Sequence, residues 1–506
     1  VSADHTIGRW LTDSARTFPD RIAIDDRGVQ TTYAALDRRV DRLASRLTTA
    51  GYRPGDRIAT LTGNSTDHVV VFFACARLGL ALVPLSWRNA APELADQLAV
   101  ADPHLVVVED EYEPIARRAL GLLAEPPPAV GFGDLERAVP HRTHRTDPGP
   151  DRTVCDADAL LILFTSGSSG RSKAAVLTHA TCFWTNLSLS RTVPLTRDDV
   201  VLSVMPQYHA GGWNVQPLLA WWVGATVVLE RTFDPRRTLE LIRTRRVSTM
   251  MGVPTHYQVL AGHRGFEAAD LSTLRTAVVG GAPATAPLLR TWHGRGVRLT
   301  QGYGLTEAGP NVLCLLPEEA FDHVGSAGRP YHHVEVALVD PVTGASVDGE
   351  GTGELLVRGP GTFAGYFRDP AATAAAMTDG WLRTGDLVHR DAAGYHTVLD
   401  RIDDLFISGG ENVSPAEVEG ALLRHPAVEA AAVVGVPDEV WGEVGVAYVV
   451  PRPGAHADEA ELVAHCRSLL AAFKVPARID LVDELPRGSS DKVSRTALRR
   501  LARSAG

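Results

Sequence analysis

The stretch Phe164-Thr-Ser-Gly-Ser-Ser-Gly-Arg-Ser-Lys173 places hydroxyl residues and two glycines just before a lysine. Glycine has no Cβ, so backbone N–H groups in such a loop can approach an anion closely, and the Ser and Thr hydroxyls add donors. Lys173 adds positive charge. Thr165, Ser166, Gly167, Ser168, Ser169, Gly170 and Lys173 are therefore candidates to hold the phosphates of a nucleotide. The loop is not of the G-x-x-x-x-G-K-[ST] type, because Arg171 and Ser172 separate its second glycine from the lysine.

The elements that must position this loop are legible on both sides. The apolar run at 159–164 predicts a buried strand. A second apolar piece at 174–177 follows the lysine, and Thr178 can cap the next helix. Further strands are predicted at 200–204, 276–279 and 297–300. They end in Met205-Pro206 with His209 just beyond, in Gly280-Gly281-Ala282-Pro283, and in Gln301-Gly-Tyr-Gly-Leu-Thr-Glu307. In parallel α/β sheets ligands sit beyond the carboxyl ends of strands, so these loops are candidates to converge with the phosphate loop.

Upstream, Leu36, Val40, Leu43 and Leu47 share one face of a helix, residues 57–61, 81–84 and 105–108 read as strands, and 69–80 as an apolar helix. This alternation predicts a largely parallel α/β domain. Residues 126–152 are rich in Pro, Gly, Arg and Asp and read as an exposed connection. Between Val324 and Leu399 short alternating strands suggest a β subdomain. After about Asp403 the pattern becomes a compact α+β unit, with Ser414-Pro-Ala-Glu417 as a helix start. The fold expected is a large N-terminal multi-subdomain α/β domain with a β subdomain (1–402), and a small mobile α+β C-terminal domain (403–506).

Bulk composition agrees. A chain of 506 residues needs more than one core. Its 45% hydrophobic and 22% charged content is that of a soluble globular protein. A formal charge of −10 argues against a general nucleic-acid binder. Five scattered cysteines, Cys75, Cys155, Cys182, Cys314 and Cys466, fit a reducing cytoplasm without a disulfide framework. No secretory signal is visible at the N-terminus, and the apolar stretch from Trp213 to Leu229 is broken by Asn214, Gln216, Pro217 and Gly224.

Taken in order, residues 164–173, 205–209, 280–283, 302–307, 381–387, 400–419 and 486–495 resemble the motifs of the adenylate-forming superfamily over essentially the whole chain. Ile407-Ser-Gly-Gly-Glu-Asn412, Trp441-Gly-Glu443 and Phe473-Lys474 look most like its acyl- and aryl-CoA ligases. The resemblance implies a two-step reaction: a carboxylate attacks the α-phosphate of ATP to give acyl-AMP and pyrophosphate, then a thiol, usually that of CoA, displaces AMP. It implies that residues 165–170 and Lys173 hold the β- and γ-phosphates. Glu307 would bind Mg²⁺ with Thr306 near the phosphates. Tyr303 would pack on adenine, with Gly304 beside it and Gly281, Ala282 and Pro283 lining the slot. Asp386 would accept from the ribose hydroxyls with Arg401 beside it.

Lys492 would bridge the acid and the α-phosphate, and His209 would close the acyl pocket. Asp403 would be the hinge. Ser408, Gly409 and Gly410 would line the pantetheine channel, with Trp441 and Lys474 against CoA. Trp184, His209, Trp213 and Asn311 are candidates for the acid pocket, suggesting a compact, aromatic or short-to-medium acid. No basic anchor for a second carboxylate is evident. The resemblance also suggests a homodimer.

Three positions depart from the family pattern: Ser172 where Pro is usual, Asp400 where Gly precedes Arg401, and Asp491 before Lys492. Val475 and Ala477 are neutral where some aryl-CoA ligases are basic, which leaves a carrier-protein phosphopantetheine or an amine open as acceptor. A non-catalytic, nucleotide-binding relative is a third reading, opposed by the intact charged set.

Overall fold

The computed structural model describes residues 5–135, 137–142, 153–166, 172–408, 411–456, 458–470, 472–488 and 492–504. The chain divides into two compact units. One holds Val1–Val336 and Val357–Arg383, the other Ala337–Leu356 and Thr384–Gly506.

The first unit is built on two mostly parallel sheets, as the α/β alternation predicts. One has six strands in the order Ala129–Gly131, Leu105–Val108, Arg57–Leu61, Ala81–Leu85, Ala159–Ser166, Ser172–Thr178. The other has nine: Arg329–Pro330, Leu313–Cys314, Arg298–Tyr303, Thr276–Val279, Thr249–Gly252, Val200–Ser203, Thr226–Leu229, Ile22–Asp26 and Val29–Thr32. Its six inner strands, from Arg298–Tyr303 to Ile22–Asp26, run parallel. Such strands are covered on both faces, which is why Leu105–Val108 and Thr276–Val279 are buried throughout and apolar without alternation.

Helices follow their local signals. Tyr33–Thr49 buries Leu36, Val40, Leu43 and Leu47 on its predicted face. Thr66–Leu78 starts where the Ser65 side chain accepts from the His68 N–H. It ends at Gly79, whose φ of 67° suits a residue without Cβ. The region 126–152 is not wholly irregular: Ala129–Gly131 adds an edge strand beside Leu105–Val108, and Phe132–Leu135 forms one helical turn. Three residues are too few to carry a readable period.

A buried polar seam runs behind the 205–209 loop. His68 lies 3.0 Å from Thr60 Oγ1 through one ring nitrogen and 3.0 Å from Gln207 Oε1 through the other. Its ring meets the face of Trp213 edge-on at 5.2 Å. Burial drives its pKa down to about 4 from the usual 6.5, against the smaller opposing pull of the Gln207 hydrogen bond and the Glu109 charge. The unfolded chain therefore takes up a proton between pH 6.5 and 4 that the folded chain refuses, and stability falls as pH falls through that window. Between pH 7 and 5 this group alone is expected to cost roughly 2 kcal/mol, at about 1.4 kcal/mol per unit. Urea denaturation of wild type and His68→Gln at both pH values checks it. The variant should show a shallower pH dependence whatever its absolute stability, and equal slopes would refute the assignment.

In the second unit the strands Glu411–Val413, Phe406–Ser408, Gly442–Pro451 and Val428–Asp438 form a sheet, with Arg478–Leu481 parallel to Gly442–Pro451. Helix Pro415–Leu422 begins at the predicted cap, where the Ser414 side chain accepts from Glu417 N–H. The segment after Lys492 is more ordered than a solvated tail. Arg495–Ser504 is a helix, and its Leu498 and Ala502 are buried against Val434, Val446 and Tyr448. Among the strands expected between Val324 and Leu399, residues 386–390 pair antiparallel with 396–401. No described helix is long and apolar enough to cross a membrane. All five cysteines are free.

Candidate active site

In the first unit, sheet register brings the predicted loops to one edge. Ser203 pairs with Met251, Gly252 with Val279, and Val279 with Gln301. The loops that follow these strands, carrying His209, Gly281–Pro283 and Tyr303–Glu307, therefore leave the nine-stranded sheet side by side. Gly281, Ala282 and Pro283 are exposed, while Tyr303, Gly304 and Thr306 are half-buried. The turn after Tyr303 folds back tightly, with Val312 N–H donating to Tyr303 O at 3.1 Å. A Cβ at Gly304 would overlap the carbonyl oxygen of Pro310, so only glycine lets the two backbones pass.

The six-stranded sheet supplies the second half. Strands Ala159–Ser166 and Ser172–Thr178 form an antiparallel pair with Thr165 opposite Lys173. The loop between them, with Gly167, Ser168, Ser169, Gly170 and Arg171, lies outside the described residues, as do the side chains of Ser166 and Ser172. The two sheets meet at Glu307. This buried carboxylate takes the Thr165 hydroxyl at 3.1 Å and the Tyr366 hydroxyl at 2.8 Å, both on Oε1. No described residue donates to Oε2. Lys173 Nζ sits 5.0 Å from the centroid of the Tyr366 ring. Tyr366 was not anticipated. Its only sequence signal is an aromatic hydroxyl after Gly365, within the region where short alternating strands are expected.

The expected acid-pocket residues separate. Trp184, half-buried on helix His179–Thr192, meets the His333 ring edge-on at 5.2 Å. His209 is half-buried, with its ring 4.5 Å from that of Tyr208. Asn311 is buried, its amide 3.4 Å from Asn214 O. Trp213 does not present a surface to a pocket. It is fully buried, stacked on Phe72 at 4.5 Å, and donates through Nε1 to Gln207 O at 2.5 Å. Its work is to brace the loop that carries His209. Two Trp residues in one region do not both face a cavity, because a four-residue helix at Gly211–Asn214 turns Trp213 into the core.

In the second unit, antiparallel register sets Asp386 directly opposite Arg401, with Nε 3.4 Å from Oδ1. Arg401 also donates to Thr384 O at 3.2 Å. Asp386 is buried and the Arg401 side chain is 59% exposed, so the carboxylate is held while the guanidinium stays accessible. Asp400 has a local purpose. It is buried and accepts from Ser414 Oγ at 2.6 Å and from Ala416 N–H at 2.9 Å, which fixes the start of helix Pro415–Leu422. Glycine could not do this.

Lys492 is exposed, its carbonyl accepts from Gly488 N–H at 2.8 Å, and Arg487 and Val493 are bridged. Ser408 is buried and Trp441 is 53% exposed. Lys474 already has a partner, since its ammonium contacts both oxygens of Glu417 at 2.7 Å. Gly409, Gly410 and Asp491, and the side chain of Asp403, lie outside the described residues.

The model of AMP-binding enzymes matches residues 11–367, and that of the AMP-binding enzyme C-terminal domain matches 417–492. The chain belongs to the AMP-binding enzyme family. Among its relatives, a feruloyl-CoA synthase from Amycolatopsis is 41% identical over 495 residues, 98% of both chains. An indoleacetate–CoA ligase from Aromatoleum aromaticum is 37% identical over 501 residues, also 98% of both. The solved structure of an o-succinylbenzoate–CoA synthetase from Bacillus subtilis, in complex with ATP and magnesium ion, superposes with a TM-score of 0.87. It is 30% identical and covers 97% of this chain and 99% of its own. This AMP-binding enzyme thus has the large N-terminal and small C-terminal α/β architecture of that family.

Proposed function

We propose that this AMP-binding enzyme is an AMP-forming acid–CoA ligase. It would activate a carboxylic acid with ATP as acyl-AMP, releasing pyrophosphate, and pass the acyl group to the thiol of CoA. The observation that carries the reading is the Glu307 carboxylate, clamped through one oxygen between the two sheets beside Lys173, in a chain matched end to end by CoA ligases.

Mg²⁺ suits that carboxylate. The ion prefers one or two carboxylates plus substrate phosphates over a cage made only of protein, and the described residues contain no cluster of three or more acidic, His or Cys ligands. Bound there, it would neutralise charge on the triphosphate. In the same reading, 165–170, Lys173 and Thr306 hold phosphates. Tyr303, Gly304 and 281–283 hold adenine, and Asp386 and Arg401 hold the ribose. Lys492 acts at the α-phosphate, and Ser408–Gly410, Trp441 and Lys474 face CoA. Lys474 would exchange Glu417 for a CoA phosphate.

Residues 1–402 and 403–506 would act as separate functional parts, with Asp403 as the hinge that exchanges Lys492 for the CoA channel. Feruloyl and indoleacetate are ring-bearing acids, and the half-buried rings of Trp184 and His209 suit such a substrate. A cytoplasmic setting accords with the free cysteines.

The test is pyrophosphate release over a panel of aryl and aliphatic acids, with and without CoA, and product mass spectrometry. Aryl acids should release pyrophosphate, faster with CoA, and yield an aryl-CoA thioester. Adenylate without any thioester would move the acceptor to a carrier protein or an amine. ATP binding with no turnover on any acid would point to a non-catalytic role.

A further inference from the structure

Tyr366 stands between two oppositely charged groups that the proposed reaction needs kept apart. Its place is set by backbone on both sides. Ala364 N–H donates to Val176 O and Val176 N–H to Gly365 O, both at 2.9 Å, and Phe367 N–H donates to Ala174 O at 2.7 Å. This ladder lays 364–367 antiparallel along the strand that carries Lys173, with Tyr366 opposite Ala175. Gly365 has φ of 123°, and a Cβ there would press on Thr373 at 2.9 Å. The same Thr373 accepts from Tyr366 N–H at 2.8 Å. Phe363 N–H donates to Glu307 O at 2.8 Å, tying the segment to the Glu307 turn.

From that anchored position one side chain serves two charges. The hydroxyl donates to Glu307 Oε1, and the ring face carries the Lys173 ammonium. Lys173 and Glu307 make no ion pair with each other, although each touches the same tyrosine. A direct pair would satisfy both groups at once. It would withdraw positive charge from the triphosphate and a carboxylate oxygen from the cation.

Building on the ligase reading, we propose that Tyr366 is a positioning residue that insulates Lys173 from Glu307. It gives the ammonium an aromatic face, which attracts cations without neutralising them. It gives the carboxylate a neutral donor on Oε1, so that Oε2 remains for Mg²⁺. Thr165 shares the second task from the opposite strand.

The two tasks separate by mutation. Tyr366→Phe keeps the ring and removes the hydroxyl; Tyr366→Leu removes both. ATP binding is read by calorimetry, first in EDTA and then across a Mg²⁺ titration, with melting temperatures as a check on folding. Tyr366→Phe should leave metal-free ATP affinity within about twofold and raise the Mg²⁺ concentration for half-maximal enhancement about tenfold, as expected for one lost hydrogen bond to a charged group. Tyr366→Leu should also weaken metal-free ATP binding by about tenfold, as Lys173 turns to Glu307.

Should Tyr366→Leu fail to fold, Tyr366→Phe by itself still tests the Oε1 clamp through its Mg²⁺ dependence. Unchanged Mg²⁺ dependence in Tyr366→Phe, or equal losses with and without metal, overturns the proposal and leaves the tyrosine as packing. If the wild-type protein binds no ATP with Mg²⁺ present, the ligase reading itself fails.

Discussion

Lys492→Ala is expected to slow acyl-adenylate formation by roughly 10²- to 10³-fold, the size of effect seen when one preorganised charge or donor is removed from a developing anion. Adenylation brings a carboxylate against the α-phosphate of ATP, so two anions must approach, and in the proposed role the Lys492 ammonium would offset that repulsion. Thioester formation from pre-made acyl-adenylate involves no such encounter and should change by no more than a few-fold. The backbone carbonyl of Lys492 takes the Gly488 N–H, a bond that alanine retains. The helix beyond is anchored by Arg495. That guanidinium reaches Glu419 at 3.2 Å, Asp404 at 3.4 Å and Val433 O at 2.9 Å. A melting temperature measured alongside separates this loss from unfolding. Single-turnover assays of each half-reaction make the comparison, and an equal loss in both would remove Lys492 from its assigned role.

The second large effect is structural. Gly304→Ala is expected to destabilise the protein by more than about 4 kcal/mol or to abolish soluble expression, a size reserved for clashes or cavities with no room to relax. The new methyl would overlap the Pro310 carbonyl, which is backbone and cannot rotate away. Any folded fraction would have the Tyr303–Glu307 turn displaced, with weak ATP binding. Gly294→Ala is the contrast. A Cβ there meets nothing within 4 Å at the end of helix Ala286–Gly294. Its effect should lie between neutral and about 1 kcal/mol stabilising, from the better helix propensity of alanine. Urea denaturation of the two variants measures the difference; similar stabilities would mean that the turn has a second packing.

Much of what positions the candidate site was legible because it is local. The caps at Thr178 and Ser414 depend on groups within three residues. The buried face of Tyr33–Thr49 is a matter of helical period, and the loops of the nine-stranded sheet are marked by where apolar runs stop. Trp213 was not legible in this way, because its indole is as consistent with a pocket as with a core until the turn at Gly211–Asn214 aims it. The partner of Lys474, Glu417, lies 57 residues away and has no local signal. The family pattern marks Asp400 as a departure, although that carboxylate caps the helix it faces across 16 residues.

Family membership, the order of strands and helices, and the charged residue types that each loop offers were therefore determined by the sequence alone. They rest on periodicity, capping and motif order, which act over short stretches of chain. The partners of those groups were decided only by the tertiary structure. Thr165 reaches Glu307 across 142 residues and Tyr366 reaches it across 59, because the order of strands in two sheets, which no local pattern encodes, brings their ends to one place.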